Sequence, residues 1–233
     1  MNRLHIELKT SSIEFQNTNI NNTNLGLKQY DKKSAFNFAL NDLKNNFSII
    51  SKIFSGFIEK TYECLNCKSI YNSQNLDNPI CYIYETFNFL TFPLESVKYN
   101  KYNNNNLNIF ESNIYINNDT ISIYDCFEYY QKKETFTGIN KSICQICNHK
   151  CDSIYSSKVF LAPNVLILIL DRDEDNNNIK LDIKEKIDIS NYVIKKDSSN
   201  MIYELYGIIS NLEQNSLSPE YIASCLNPID NNW

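Results

Sequence analysis

Glycine is scarce in this chain: four among 233 residues, at Gly26, Gly56, Gly138 and Gly207, each isolated. Phosphate-cradling loops need several glycines close together, so they are nearly excluded. Histidine is scarcer still, with only His5 and His149. Lysine and arginine number 22 against 27 aspartates and glutamates, which gives a formal charge of −5 and a pI near 5.2. That balance offers no basic footprint for nucleic acid. The amino terminus, "MNRLHIELKTSS", lacks the apolar run of a secretory signal. The longest apolar run, "VFLAPNVLILIL" from Val159 to Leu170, falls short of the ~20 residues needed to cross a bilayer. These absences predict a cytoplasmic or nuclear protein with no membrane span. In that reducing setting the eight cysteines favour thiols or metal sites over disulfides.

What is present can build a core. The chain is 42% hydrophobic and carries 16 tyrosines, so wholesale disorder is excluded. Residues 1–9 read as a short helix with Leu4 and Leu8 on one face. The Asn-rich stretch Ser11–Lys33 reads as a loop or a disordered insert. Phe36, Leu40, Leu43, Phe47, Ile50 and Phe54 alternate spacings of four and three, which predicts one helix capped by Ser34 and ended by Gly56. From Phe57 to about Leu94 the abundance of Tyr, Phe, Ile and Thr predicts strands. A second Asn-rich insert covers Lys98–Asn118. "SIYDCFEYYQKK" predicts a helix with a capping box at Ser122 and Asp125 and with Ile123, Phe127 and Tyr130 on one face. "SIYSSKVF" reads as a strand, "NVLILIL" as a strand buried on both faces, and Met201–Ser210 and Glu220–Leu226 as two more. The fold class is α+β, without internal repeats.

Two C-x-x-C pairs stand out. Cys64 and Cys67 lie in "YECLNC", Cys144 and Cys147 in "SICQICNHKC", with 76 residues between the pairs. Two such pairs, each at the turn of a β-hairpin, make a zinc ribbon. Thiolates suit zinc, and four of them close the coordination shell, so the site is structural and activates no water. The bland alternative is a set of unrelated thiols. Within the second motif Cys147, His149 and Cys151 compete for the metal, but a one-residue spacing between ligands is awkward in a hairpin knuckle, and the two symmetric pairs are preferred. Cys81, Cys126 and Cys225, in apolar surroundings, read as small core residues.

With these blocks in order, the chain resembles a ubiquitin-specific protease (USP) domain. "MNRLHIELK" resembles the end of the thumb helix after the family's Gln-Asp box. "SIISKIFSGFIEKTYECLNC" resembles the entry to the fingers, with Phe-x-Gly and Tyr-x-Cys-x-x-Cys. "FNFLTFPL" resembles a family strand, and "SIYDCFEYYQKKETFTGINKSICQIC" the return through the second zinc knuckle, with Glu134, Gly138, Asn140 and Lys141 in place. "SSKVFLAPNVLILIL", with Lys158, resembles the following strand pair. "YELYGIISN" and "EYIASCLNPIDNNW" resemble the last palm strands. The likeness covers roughly two thirds of the chain. It implies a papain-like cysteine peptidase fold of thumb, palm and fingers, with the zinc ribbon in the fingers and ubiquitin cradled by them. The expected organisation is a partial domain: 1–56 remnant thumb helices, 57–160 fingers, 161–233 palm strands, the thumb largely missing.

The same resemblance marks what is lacking. A cysteine peptidase needs a thiolate, an imidazole and a group that orients it. No Gly-Asn-Thr-Cys box occurs. Where the family has Gly-His-Tyr this chain reads "SPEYIASC", which puts Glu220 in the histidine position and Pro219 in the glycine position. The chain reaches Trp233 before the position of the third residue. His5 reads as a surface residue and His149 sits between presumed metal ligands. A carboxylate at position 220 would also repel a thiolate. No catalytic residue is therefore assigned. The expected activity is binding of ubiquitin, a ubiquitinated protein or another partner, the last covering the missing thumb side. Two alternatives stay open: a fragment of an active deubiquitinase with its Cys and Asp outside this chain, and a zinc-ribbon scaffold without ubiquitin affinity. The acidic run Asp171–Asp175 reads as a solvated hairpin turn, or as a surface facing the basic tail of ubiquitin.

Overall fold

The computed structural model describes residues 32–74, 80–104, 120–144, 146–172, 179–195, 201–212, 220–230 and 232–233. The expected helix over residues 1–9, His5, the Asn-rich residues 11–31 and 105–118, and Asp173–Asp175 lie outside the described residues.

Strand β1 (Gly56–Cys64) carries the frame. It pairs antiparallel with β2 (Ile80–Phe87) on one side and β8 (Ser153–Leu161) on the other, and β5 (Glu134–Phe136) extends the sheet beyond β8. Successive side chains of a strand point to opposite faces, and β1 uses both. Phe57 packs with Phe36, Tyr84 and Phe160. Its neighbour Ile58 enters the main core. Between those two residues the β1–β8 register shifts: Phe57 faces Leu161 and Ile58 faces Val159. Phe160 is thus the extra residue of a bulge. Its ring lies 4.8 Å from that of Phe36 and 4.9 Å from that of Tyr84. Gly56 opens β1 because a Cβ there would meet Phe87 Cε1 at 2.5 Å and the Leu161 carbonyl oxygen at 2.6 Å.

The aromatic face is covered by α1 (Lys32–Asn45). The expected single helix is in fact two. Ser48 forms a capping box with Ser51 and starts α2 (Ile49–Phe54). The Asn46 side chain bonds back to the Asp42 carbonyl at 3.1 Å. A buried cap with two reciprocal bonds competes better than a continued helix through two asparagines. Ser34 therefore lies inside α1, Phe47 is 39% exposed rather than on the buried stripe, and Gly56 starts a strand rather than ending a helix.

The main core lies on the Ile58 face. Phe92, Leu94, Cys126, Phe127, Val97 and Ile189 are wholly buried there. They come from β3 (Leu90–Pro93), α4 (Leu94–Asn104), α5 (Ile123–Tyr130) and the segment after β11 (Lys186–Asp188). Burying a side chain such as Phe127 stabilises the fold by about 1.5–3 kcal/mol. The residues Lys98–Asn104, expected in an insert, are helical because α4 buries Val97 and Asn100. β3 pairs in parallel with β9 (Leu168–Asp171), and β4 (Thr120–Ser122) with β10 (Lys180–Asp182).

Three strand expectations need correction. "NVLILIL" is not buried on both faces: along β9 the half-buried Leu168 and Leu170 alternate with Ile169, which is 42% exposed, and with exposed Asp171. Met201–Ser210 is two strands, β12 (Ile202–Glu204) paired with β11 and β13 (Gly207–Leu212) paired with β14 (Glu220–Cys225). The break falls at Leu205, whose N–H turns to the Glu185 carbonyl. Cys225 is exposed, not a core residue, whereas Cys126 is fully buried as expected.

The expected capping box of α5 is present. Ser122 Oγ accepts from the Asp125 N–H, and Asp125 accepts from the Ser122 N–H at 2.8 Å and from Lys101 Nζ at 2.8 Å. Burial acts to raise the Asp125 pKa, but the Lys101 ion pair and the Ser122 hydrogen bonds outweigh it and hold the carboxyl below its usual range. A depressed folded pKa contributes stability that is present above the unfolded value near ~3.9 and is lost as pH falls through the folded value. Asp125→Asn should therefore cost about 1 kcal/mol at pH 7, and the variant and wild type should converge as pH falls below ~4. Urea unfolding at pH 7 and at pH 3 checks this; an equal deficit at both would show that the carboxylate charge is not the source.

Candidate metal centre and the palm strands

The candidate metal centre is assembled at one end of the β1–β8 ladder. Cys64 is the last residue of β1, opposite Ser153, the first of β8. The chain then turns directly into α3 (Leu65–Ser73), and the Leu65 N–H bonds to the Asp152 carbonyl at 2.9 Å. Cys67, 2% exposed, sits in the first turn of that helix. The first pair is thus at a strand-to-helix junction, not at the expected hairpin turn. Tyr71 follows four residues after Cys67 and packs on the thiols. The helix N-terminus also places partial positive charge beside Cys67.

The second pair does lie on a hairpin. β6 (Ser142–Ile143) pairs with β7 (Lys150–Cys151). The Cys144 N–H donates to the His149 carbonyl at 2.9 Å, and the Asn148 N–H to the Cys144 carbonyl at 2.8 Å. Asn148 takes the left-handed conformation, φ 55°, that asparagine tolerates. The Ile146 N–H donates to Cys144 Sγ at 3.4 Å. Ser142 Oγ lies 3.0 Å from Ser153 Oγ and ties this hairpin to the start of β8.

The result brings Cys64, Cys67, Cys144 and Cys147 together, their four sulfurs all within 4.8 Å of one another. Cys67 Sγ and Cys144 Sγ are 3.7 Å apart. A tetrahedral zinc with bonds of ~2.3 Å has sulfur–sulfur edges of ~3.8 Å. The donor set and spacing fit zinc, and four thiolates leave no position for a reacting water. Cys147 and Cys151 differ in charge preference. Burial opposes ionisation of Cys147, but the His149 N–H and the thiols of Cys151, Cys144 and Cys67 outweigh it and bring it down to about 6. Burial and the thiols of Cys147 and Cys64 push Cys151 up to about 12. Cys151 is 3.6 Å from Cys147 but is not one of the four mutually close sulfurs. His149 is exposed, with Nδ1 at the Cys147 carbonyl rather than among the sulfurs. Cys81, half-buried, lines an apolar cavity of about 160 Å³ beside the cluster, with Tyr62, Ile83, Ile143, Cys144 and Cys151.

The other positions singled out in the sequence are simpler. Glu220 opens β14 opposite Leu212, at the end of an antiparallel pair in which Gly207 faces Cys225. Cys126 is a poor nucleophile, since burial and the Asp125 carboxylate push its thiol up to about 12. His149 is the one histidine among the described residues, and it stands in the metal hairpin. Lys158 lines an open concavity on the Glu59 face of the sheet with Lys32 and Lys133. There the buried Glu59 accepts from Tyr84 Oη at 2.5 Å and pairs with Lys32 at 2.9 Å; nothing in the sequence spacing announced that carboxylate as a buried one.

The four-stranded sheet and the convergent thiols define a mixed helix-and-strand domain with a candidate zinc-ribbon centre. The chain belongs to the ubiquitin carboxyl-terminal hydrolase (UCH) family, which it matches over residues 1–233. Similar solved structures include a chain of the SAGA Ubp8/Sgf11/Sus1/Sgf73 DUB module, with 22% identity, a TM-score of 0.52, and coverage of 82% of this chain and 37% of that one. A chain of the same module bound to ubiquitin aldehyde gives 20% identity and a TM-score of 0.51, covering 84% and 40%. Among curated proteins, a probable ubiquitin carboxyl-terminal hydrolase of Acanthamoeba polyphaga mimivirus is 24% identical over 196 residues, 78% of this chain and 36% of its own length. Ubiquitin carboxyl-terminal hydrolase 19 of Arabidopsis thaliana is 24% identical over 110 residues, 46% of this chain and 16% of its own length. The chain therefore spans little more than a third of the curated relatives it matches, at most. No helix among the described residues is long and apolar enough to cross a membrane.

The reduced protein should carry about one zinc per chain. Cys64→Ser, Cys67→Ser, Cys144→Ser and Cys147→Ser should each abolish stoichiometric zinc, since ligation free energy is folding free energy here. Metal content by elemental analysis checks this. Retention of zinc by Cys147→Ser together with its loss from Cys151→Ser would move the fourth ligand to Cys151.

Proposed function

We propose that these 233 residues bind ubiquitin and do not by themselves hydrolyse its conjugates. The carrying observation is a contrast within one chain. The metal-binding half of the family pattern is complete, down to four convergent thiols. The catalytic half has Glu220 in the histidine position and no Gly-Asn-Thr-Cys box. A zinc at Cys64, Cys67, Cys144 and Cys147 would be structural, holding α3 and the β6–β7 hairpin at the end of the long sheet. In this reading residues 1–56 are remnant thumb, 57–160 fingers and 161–233 palm, acting in the cytoplasm or nucleus. Ubiquitin is the partner inferred for the fingers and palm. A further protein is inferred as a partner for the thumb side.

A second reading has its own support: the chain spans only part of its relatives, so a longer protein could supply a cysteine and an aspartate. Such an enzyme would still need a base in place of Glu220.

Within a binding surface a few anchors carry most of the affinity, and these residues hold only part of the family's pattern. The dissociation constant for ubiquitin should lie at tens to hundreds of μM, or about 5–6 kcal/mol. Binding should need zinc. Titrating the protein into ¹⁵N-labelled ubiquitin measures both points. Absence of shift perturbation at millimolar protein favours a scaffold without ubiquitin affinity, and binding that survives zinc removal breaks the link from ribbon to surface. A fluorogenic ubiquitin substrate should not turn over, with or without Glu220→His. Labelling by a thiol-reactive ubiquitin probe that one Cys→Ser change abolishes would overturn the inactive reading.

A further inference from the structure

Five thiols meet at the end of the sheet where a tetrahedral metal uses four. The fifth, Cys151, is fixed by its own ladder: it is the last residue of β7, opposite Ser142. Its sulfur lies 3.6 Å from that of Cys147, as close as Cys67 is to Cys144. Both residues belong to the β6–β7 hairpin, so joining them moves neither α3 nor β1. Their exposure also differs. Cys147 is half-buried and open to solvent, whereas Cys151 is 8% exposed. The apolar cavity of about 160 Å³ reaches Cys151 and Cys144 from the other side. One sulfur is thus placed to meet a solute and the other to receive what it becomes.

We infer that Cys147 and Cys151 form a peroxide-responsive pair that closes to a disulfide and ejects the metal. The inference deepens the regulation of the metal centre and rests on the reading that Cys64, Cys67, Cys144 and Cys147 hold zinc. The oxidant is a hydroperoxide. The Cys147 thiolate attacks the peroxide oxygen, the O–O bond breaks, and Cys147 becomes a sulfenic acid while the other oxygen leaves as water or alcohol. The Cys151 sulfur then attacks the Cys147 sulfur. The S–S bond forms, the S–O bond breaks, and hydroxide leaves as water with the Cys151 proton. Two electrons pass from the two sulfurs to the peroxide. With Cys147 in the disulfide, Cys64, Cys67 and Cys144 alone would remain to hold a metal, one thiolate short of a closed tetrahedral shell. The fingers surface would then depend on redox state as well as on metal supply.

The test uses the full chain, reduced and zinc-loaded, as wild type and as Cys151→Ser. Zinc content is measured first. About one zinc in both supports a spare fifth thiol. Absence of zinc from the wild type overturns the metal reading and this inference with it. Loss from Cys151→Ser alone leaves the metal reading standing and makes Cys151 a ligand, which overturns only the inference. Hydrogen peroxide is then added and released zinc is read with a chromogenic chelator. Wild type should release zinc at least ~10-fold faster than Cys151→Ser, and a thiol reductant with added zinc should restore the site. Tryptic cleavage after Lys150 separates the two sulfurs, so non-reducing mass spectrometry should show Ser142–Lys150 joined to Cys151–Lys158 through Cys147. Equal release rates, or oxidation that pairs Cys64 with Cys67 instead, would overturn the pair.

Discussion

The antiparallel ladder between β1 and β8 is the constraint on which the rest depends. Nine-residue strands join the hydrophobic core at one end to the thiol cluster at the other. At the core end, alternation sends Phe57 and Ile58 to opposite faces, so one strand serves two packed clusters. At the far end the same strands finish at Cys64 and Ser153, on the two sides of the metal centre. The sheet thus converts burial of aliphatic and aromatic side chains into a fixed position for sulfurs that have little core of their own. Beyond the ladder, few apolar groups hold the tip: Tyr71 and Ile146 pack on the cysteines. A metal is the natural remaining source of cohesion there.

The bulge at Phe160 shows how sequence detail and packing interlock. Without the extra residue, Phe160 would point with its ladder partners into the main core. With it, the ring joins Phe36, Phe57 and Tyr84 in edge-to-face and tilted contacts, which aromatic rings prefer over flat stacking. The carbonyl of Phe160 is taken by the Lys195 N–H and that of Val159 by the Ile194 N–H, so the irregularity is satisfied by the returning chain. On the same face the buried Glu59 keeps two partners, Tyr84 and Lys32. A buried carboxylate without them would cost several kcal/mol.

Charge explains the thiol cluster in the same terms. Four neighbouring thiols cannot all ionise unaided, because each thiolate repels the next; burial and the neighbouring thiols both raise the Cys67 pKa. A divalent cation reverses that logic, since a coordinating thiol is deprotonated outright. The centre is therefore a place where metal, charge and shape stand or fall together. The β13–β14 end differs. Among the described residues these two strands pair with each other alone, exposing Ile209 and Tyr221 on one face and Ile222 on the other.

Much of this was determined by sequence alone. The two C-x-x-C pairs that supply the candidate ligands are legible in the spacing, which is local and survives any tertiary arrangement. So is the Ser122–Asp125 capping box, because both partners lie within one helical turn. The order of family blocks specified the fold class for the same reason: each block is short. Tertiary structure decided the rest. Only the β6–β7 ladder places Cys151 against Cys147, since spacing cannot say which of several nearby sulfurs converge. The Cys64–Cys67 pair sits at a strand-to-helix junction, with α3 packing Tyr71 on the sulfurs, a contact invisible to a strand-like composition. The helix break at Ser48 came from a buried cap, which outweighs an unbroken apolar period. "NVLILIL" read as doubly buried because an apolar run records what a strand can bury, whereas the alternation of half-buried and exposed residues along β9 depends on what packs over each face.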